Sequence, residues 1–187
     1  MLNIAQAIDC GQLPARIELV IASRPDALGV ERARARRLTT EVLSRRAFAT
    51  VEAYSNALTA RLDAAGVDLA CMAGFLCFWK IPPHWLGRTI NIHPSLLPDF
   101  GGRGMHGLHV HEAVIKSGVT RSGCTVHFAD NQYDHGPIIL QRTCPVMPDD
   151  TPETLAARVF AEELVAYPEA IKKIWIQRVA ETPVQRS

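Results

Sequence analysis

Residues 68–98 read DLACMAGFLCFWKIPPHWLGRTINIHPSLLP, and this stretch decides the fold class. Asp68 to Ala73 is a continuous apolar run ending at Gly74. Thr89 to His93 is a second, after a loop containing Pro82-Pro83. Runs that are apolar throughout are buried on both faces, as the strands of a parallel sheet are. Working back towards the N-terminus, Arg16 to Ala22 (RIELVIA) is another buried strand, closed by the turn signal Ser23-Arg24-Pro25-Asp26. Leu28 to Arg37 is rich in helix formers, Thr39 to Leu43 is a short extended piece, and helical character resumes from Phe48 to Ala65. On that last helix Tyr54, Leu58 and Leu62 lie four apart and form one apolar stripe. Strands separated by helices indicate βαβ units, so the expected class is α/β: a mainly parallel twisted sheet flanked by helices.

Beyond residue 98 the pattern changes. His109 to Ser117 reads as a helix, Gly123 to Ala129 and Ile138 to Val146 as strands, and the irregular 130–137 segment joins those strands. Thr151-Pro152 is a cap followed by a first-turn proline, opening a helix on which Leu155, Val159 and Glu163 share a face. Pro168 is expected to kink or restart that helix. There is no internal repeat or linker-like tract, and 187 residues against a prior of about 150 per domain imply one domain over residues 1–187.

Composition excludes several classes. Apolar residues make up 48% and charged residues 21% of the chain, enough to build a core. The net charge of +1 offers no broad field for nucleic acid or an anionic membrane, so the expected partners are small molecules. The longest apolar stretch, Leu69 to Trp79, is far short of the roughly 20 residues a membrane span needs. No export signal opens the chain, and a cytoplasmic location is expected. Five cysteines without a C-x-x-C pair argue against a disulfide framework or zinc site and for reduced core thiols.

The chemistry concentrates at Asn91-Ile92-His93-Pro94. Period two puts Asn91 and His93 on one side at the C-terminal end of a strand, where open parallel sheets place their ligand crevice. An amide donor beside an imidazole suits a reaction in which a carbonyl oxygen gains charge and a proton moves. On spacing alone, the same pair equally serves turn hydrogen bonds. Asp134, before His135-Gly136-Pro137, is either a turn former or a carboxylate that orients His93 and raises its pKa. His106, His109 and His111 lack any zinc spacing, because His109 and His111 point apart on a helix. Gly101-Gly102-Arg103-Gly104 fits no phosphate-loop pattern and reads as a mobile surface loop. Glu163 is either at the rim of its helix face or turned to a polar site. Gly74 to Trp79 is either core or the wall of a pocket for a flat heterocycle.

Taken together, LVIASRPDALGVERAR (19–34), CMAGFLCFWKI (71–81), INIHPSLLPDF (90–100), SGCTVHFA (122–129), YDHGPIILQ (133–141) and ARVFAEELVAYP (157–168) resemble the phosphoribosylglycinamide formyltransferase family. The resemblance implies a Rossmann-like formyltransferase fold. It implies transfer of a formyl group from 10-formyltetrahydrofolate, as co-substrate, to the amine of glycinamide ribonucleotide in purine biosynthesis, with no metal. By the same resemblance Asn91, His93 and Asp134 are the catalytic trio. Leu76, Cys77, Phe78 and Trp79, with Asn91 and the loop Asp130, Asn131, Gln132 and Tyr133, bind the folate, and Glu163 contacts the ribonucleotide. A monomer or homodimer is expected. The family opens with a strand and a glycine-rich phosphate loop before a helix like Leu2 to Cys10, so this chain is expected to lack that first strand and loop. Val51 and Phe160 stand where relatives carry an arginine and a polar contact, and the 100–107 segment is longer than in many of them. Two alternatives use the same residues: hydrolysis of 10-formyltetrahydrofolate to formate, and folate binding without transfer by a truncated protein.

Overall fold

The structure is a computed structural model and describes residues 1–181. Its elements run α1 (Leu2–Asp9), β1 (Val20–Ala22), α2 (Leu28–Ala35), β2 (Thr40–Val42), α3 (Val51–Ala64), β3 (Ala70–Met72), β4 (Thr89–His93), α4 (Leu108–Ser117), β5 (Arg121–Phe128), β6 (Ile138–Pro145) and α5 (Pro152–Glu181). The expected α/β class holds. Strands β1 and β2 pair in parallel, and a second sheet runs in the order β3-β4-β5-β6. There β3 and β4 are parallel, while β5 and β6 add antiparallel to β4. The parallel β1–β2 pair is joined through α2, and the antiparallel β5–β6 pair through the 129–137 loop.

Local chemistry explains the element boundaries. Thr50 Oγ1 accepts the Ala53 N–H at 3.1 Å and opens α3. Thr151 and Thr154 exchange backbone N–H and hydroxyl contacts at the start of α5. The stripe expected on α3 is realised: Tyr54 and Leu58 are buried with Trp79, Ile81 and Trp85 in one apolar cluster. A second cluster joins α1, α4 and α5 to β4, β5 and β6 through Ile90, Val114, Val126, Leu155, Val159 and Tyr167.

Two expectations need correction. Pro168 does not restart its helix, because α5 runs unbroken past it. The lost N–H costs on the order of 3 kcal/mol, and the buried row Val159, Ala166, Tyr167, Ala170, Ile171 and Ile174 on the same helix offsets it. The Tyr167 hydroxyl also lies 2.7 Å from the Met72 carbonyl and 3.2 Å from that of Ile90, tying α5 to both parallel strands. Nor are all the thiols in the core. Cys124 and Cys144 are buried, but Cys10 and Cys71 are exposed, Cys71 because the far edge of β3 pairs with no strand among the described residues. No described helix is long and apolar enough to cross a membrane.

Candidate active site

The C-terminal ends of β3 and β4, where Met72 and Asn91 are register partners, open on a cavity of about 790 Å³. Leu76 to Trp79, Asn91, His93, Asp130, Gln132, Tyr133, Asp134 and Glu163 all line it, so residues far apart in sequence share one chamber. Its volume is that of a small-molecule site.

Asn91 and His93 fall on the same face of β4, as the period of two requires. His93 is 4% exposed. Its Nε2 donates to the Phe100 carbonyl at 2.8 Å, and its Nδ1 lies 3.4 Å from Asp134 Oδ2. Asp134 reaches it from the β5–β6 loop and accepts the Gly102 N–H at 2.9 Å. The 100–107 segment is therefore anchored to the carboxylate; Gly102, Gly104 and Met105 to Gly107 form part of the cavity wall. A Cβ at Gly101 would lie 2.5 Å from Leu97 Cδ2 and 3.3 Å from Asp134 Cβ, so a side chain there would require Leu97 to shift.

Electrostatics departs from the sequence reading at one point. Burial depresses the His93 pKa, and the opposing pull of Asp134 and of the Phe100 carbonyl does not restore it, so the ring titrates below the usual histidine value of 6.5. Asp134 does raise it, as expected, but desolvation wins. For Asp134, burial acts to raise the pKa, and the His127 contact, the His93 charge and the Gly102 N–H together outweigh it, leaving the carboxyl below its ordinary value. Desolvation alone lifts Glu163, across the cavity on α5, to about 7.

His127 is the residue that sequence reading missed. It is 2% exposed and is the register partner of Asn91 across the antiparallel β4–β5 pair. Its Nε2 lies 3.3 Å from Asn91 Nδ2 and 3.7 Å from Asp134 Oδ1. Alternation in GCTVHFA, with Thr125 and His127 opposite the buried Cys124 and Val126, is the signal that would have found it.

Phe75, Phe78, Trp79 and Tyr133 line the cavity. Phe78 and Tyr133 approach with ring centroids 5.4 Å apart, closing the 74–79 segment against the 130–133 loop. Trp79 is nearly buried and its indole N–H donates to Thr59 Oγ1 at 3.1 Å. The Asn131 carboxamide accepts the Ile81 N–H at 2.7 Å and donates to the Ile81 carbonyl at 3.0 Å. It pins the loop instead of lining the cavity. Asp130 likewise shapes the loop, accepting the Gln132 N–H at 2.7 Å and facing His135 Nδ1 at 3.0 Å. Val51 opens α3, and Phe160 is exposed on the cavity wall. His109 pairs with Glu112 on the surface while His111 is buried, so these two histidines point apart.

Residues 2–171 match the formyl transferase family. Over 159 residues, 84% of its length, the chain is 42% identical to the trifunctional purine biosynthetic protein adenosine-3 of Drosophila melanogaster, and it spans only 11% of that protein. It is 35% identical over 167 residues to phosphoribosylglycinamide formyltransferase of Escherichia coli, covering 88% of this chain and 76% of that one. The crystal structure of glycinamide ribonucleotide transformylase 1 from Symbiobacterium toebii matches with a TM-score of 0.84 and 41% identity, over 91% of this chain and 79% of that one.

Proposed function

The chain belongs to the formyl transferase family, and on that premise we propose that it transfers a formyl group from 10-formyltetrahydrofolate to the amine of N1-(5-phosphoribosyl)glycinamide, a step of purine biosynthesis carried out in the cytoplasm. The observation that carries this reading is the meeting of Asn91, His93 and Asp134 in one wall of a cavity whose other wall is aromatic. Phe75, Phe78 and Trp79 suit the faces of a pteridine, and the backbone of the 130–133 loop suits its polar rim.

Asn91 donates an amide N–H to the formyl oxygen and stabilises the negative charge that develops there when the amine attacks the carbon. His93, whose Nε2 faces the Phe100 carbonyl and whose Nδ1 faces Asp134, takes the proton shed by the amine as the new C–N bond forms. It then delivers that proton to the departing folate nitrogen as the old C–N bond breaks. Asp134, ionised and 3.4 Å away, stabilises the imidazolium between the two transfers. Glu163, half-ionised near pH 7, faces the ribonucleotide and accepts from its hydroxyl or amine hydrogens.

The test is a product assay with 10-formyltetrahydrofolate in the presence and absence of glycinamide ribonucleotide. Formylated ribonucleotide formed in step with deformylated folate supports transfer. Equal release of formate with and without the ribonucleotide identifies a hydrolase instead, and folate binding without turnover identifies a binding protein.

A further inference from the structure

A side-chain carboxamide has two ends of nearly equal size and opposite hydrogen-bonding character. Asn91 is useful at a developing oxyanion only if its nitrogen faces that oxygen, because its own Oδ1 would repel it. Something in the fold must choose between the two orientations. The Nδ1 of His127 lies 2.9 Å from the Phe128 carbonyl, which only accepts, so this nitrogen carries the proton. In the neutral ring Nε2 is then the acceptor, and the atom facing it at 3.3 Å is Asn91 Nδ2. The contact sits where β5 shifts register against β6, between Val126 and His127. Such a bulge re-aims a side chain. Here it seats the ring between Asn91 and Asp134 Oδ1.

We propose that His127 is a positioning residue that holds the Asn91 carboxamide in the donor-outward orientation, one N–H given to the imidazole and the other directed into the cavity. The inference rests on the proposed formyl transfer for its kinetic consequence, but not for its geometry.

Three variants separate this role from mere packing. His127→Gln keeps an acceptor near the position of Nε2, His127→Asn keeps only the contact to the Phe128 carbonyl, and His127→Leu keeps neither. Loss of one oxyanion donor lowers kcat by about 10² to 10³-fold. The Leu and Asn variants are expected to lose at least about tenfold in kcat with the KM for the formyl donor unchanged, and the Gln variant to recover to within about threefold of the starting enzyme. A Leu variant with undiminished kcat, or a folded Gln variant as poor as Leu, overturns the proposal. In the unsubstituted protein, long-range proton–nitrogen NMR of the His127 ring gives an independent reading. A protonated Nδ1, with the Asn91 side-chain amide resonances shifted in the Leu variant and restored in Gln, supports it. A proton on Nε2 with Nδ1 bare overturns it whether or not formyl transfer is observed.

Discussion

Asp134 Oδ2 lies 3.4 Å from His93 Nδ1, and the same oxygen accepts the Gly102 backbone N–H at 2.9 Å. The carboxylate that faces His93 therefore also anchors the glycine-rich segment forming one wall of the cavity. Chemistry and cavity closure share one carboxylate.

Asp134→Asn preserves size and can still accept the Gly102 N–H through its carbonyl, but it removes the charge beside His93. Steady-state kinetics should show kcat reduced by about 10² to 10⁴-fold with little change in donor binding measured by titration of a non-reactive folate. A variant with normal turnover would remove Asp134 from the mechanism.

The depressed pKa of His93 predicts that kcat/KM is maintained at neutral pH and declines on acidification only below the ordinary histidine midpoint of 6.5. Asp134 stays ionised throughout this window because its own pKa is lowered. Since Asp134 raises the His93 pKa, a pH profile of the residual activity of Asp134→Asn should have its acid limb displaced to still lower pH. The linked stability has the same sign. Below pH 6.5 the unfolded chain takes up a proton that folded His93 refuses, so stability falls as pH falls. Displacement of the limb to higher pH would contradict the assignment.

Glu163 behaves in the opposite sense. Its folded pKa of about 7 lies above the ordinary 4.5, so between these values the folded state holds the proton more tightly and stability is lost as pH rises through them. At ~1.4 kcal/mol per unit the loss is on the order of 3 kcal/mol. Thermal melts of Glu163→Gln should match the parent near pH 4.5 and exceed it at pH 8, while the KM for the ribonucleotide rises. Equal melting temperatures at pH 8 would show the carboxyl to be better solvated than its position implies.

Asn131→Ala removes both bonds to Ile81, at about 1 kcal/mol net per bond. The expected result is destabilisation of about 2 kcal/mol in denaturant titrations and a raised KM for the formyl donor, with kcat nearly unchanged. A large drop in kcat at constant KM would place Asn131 in the chemistry instead.

Gly101→Ala drives a methyl group to 2.5 Å from Leu97 Cδ2 and 3.3 Å from Asp134 Cβ. Leu97 or the loop must move, and the loop carries the Gly102 N–H that Asp134 accepts. A misplacement of about 1 Å in a reacting group can cost on the order of 10²-fold in rate, so activity should fall more than the melting temperature suggests. Unchanged kcat with unchanged stability would show that the 100–107 segment is not coupled to the carboxylate.

The strand bearing Asn91 and His93 was legible because its ends are set by local chemistry: β-branched residues through Ile92 and a proline at 94. The α3 stripe was legible for the same kind of reason, since a period of 3.6 depends on the residues of one segment alone. Pro168 misled because helix-breaking is also a local rule, and here the burial of one face of α5 against the sheet overrode it. His127 carried no flanking motif. Its partner lies 36 residues away, and the two meet only through antiparallel register.

By itself the sequence determined the α/β class, which follows from residue type and short spacing, and the family resemblance, which singles out Asn91, His93 and Asp134 as candidates. Only the tertiary structure decided that burial lowers the His93 pKa, that burial lifts Glu163 to about 7, that Asn131 serves the Ile81 backbone, and that His127 stands behind Asn91. Those properties depend on how far each group is removed from water and on which distant dipoles and charges surround it, quantities that exist only after the chain has folded.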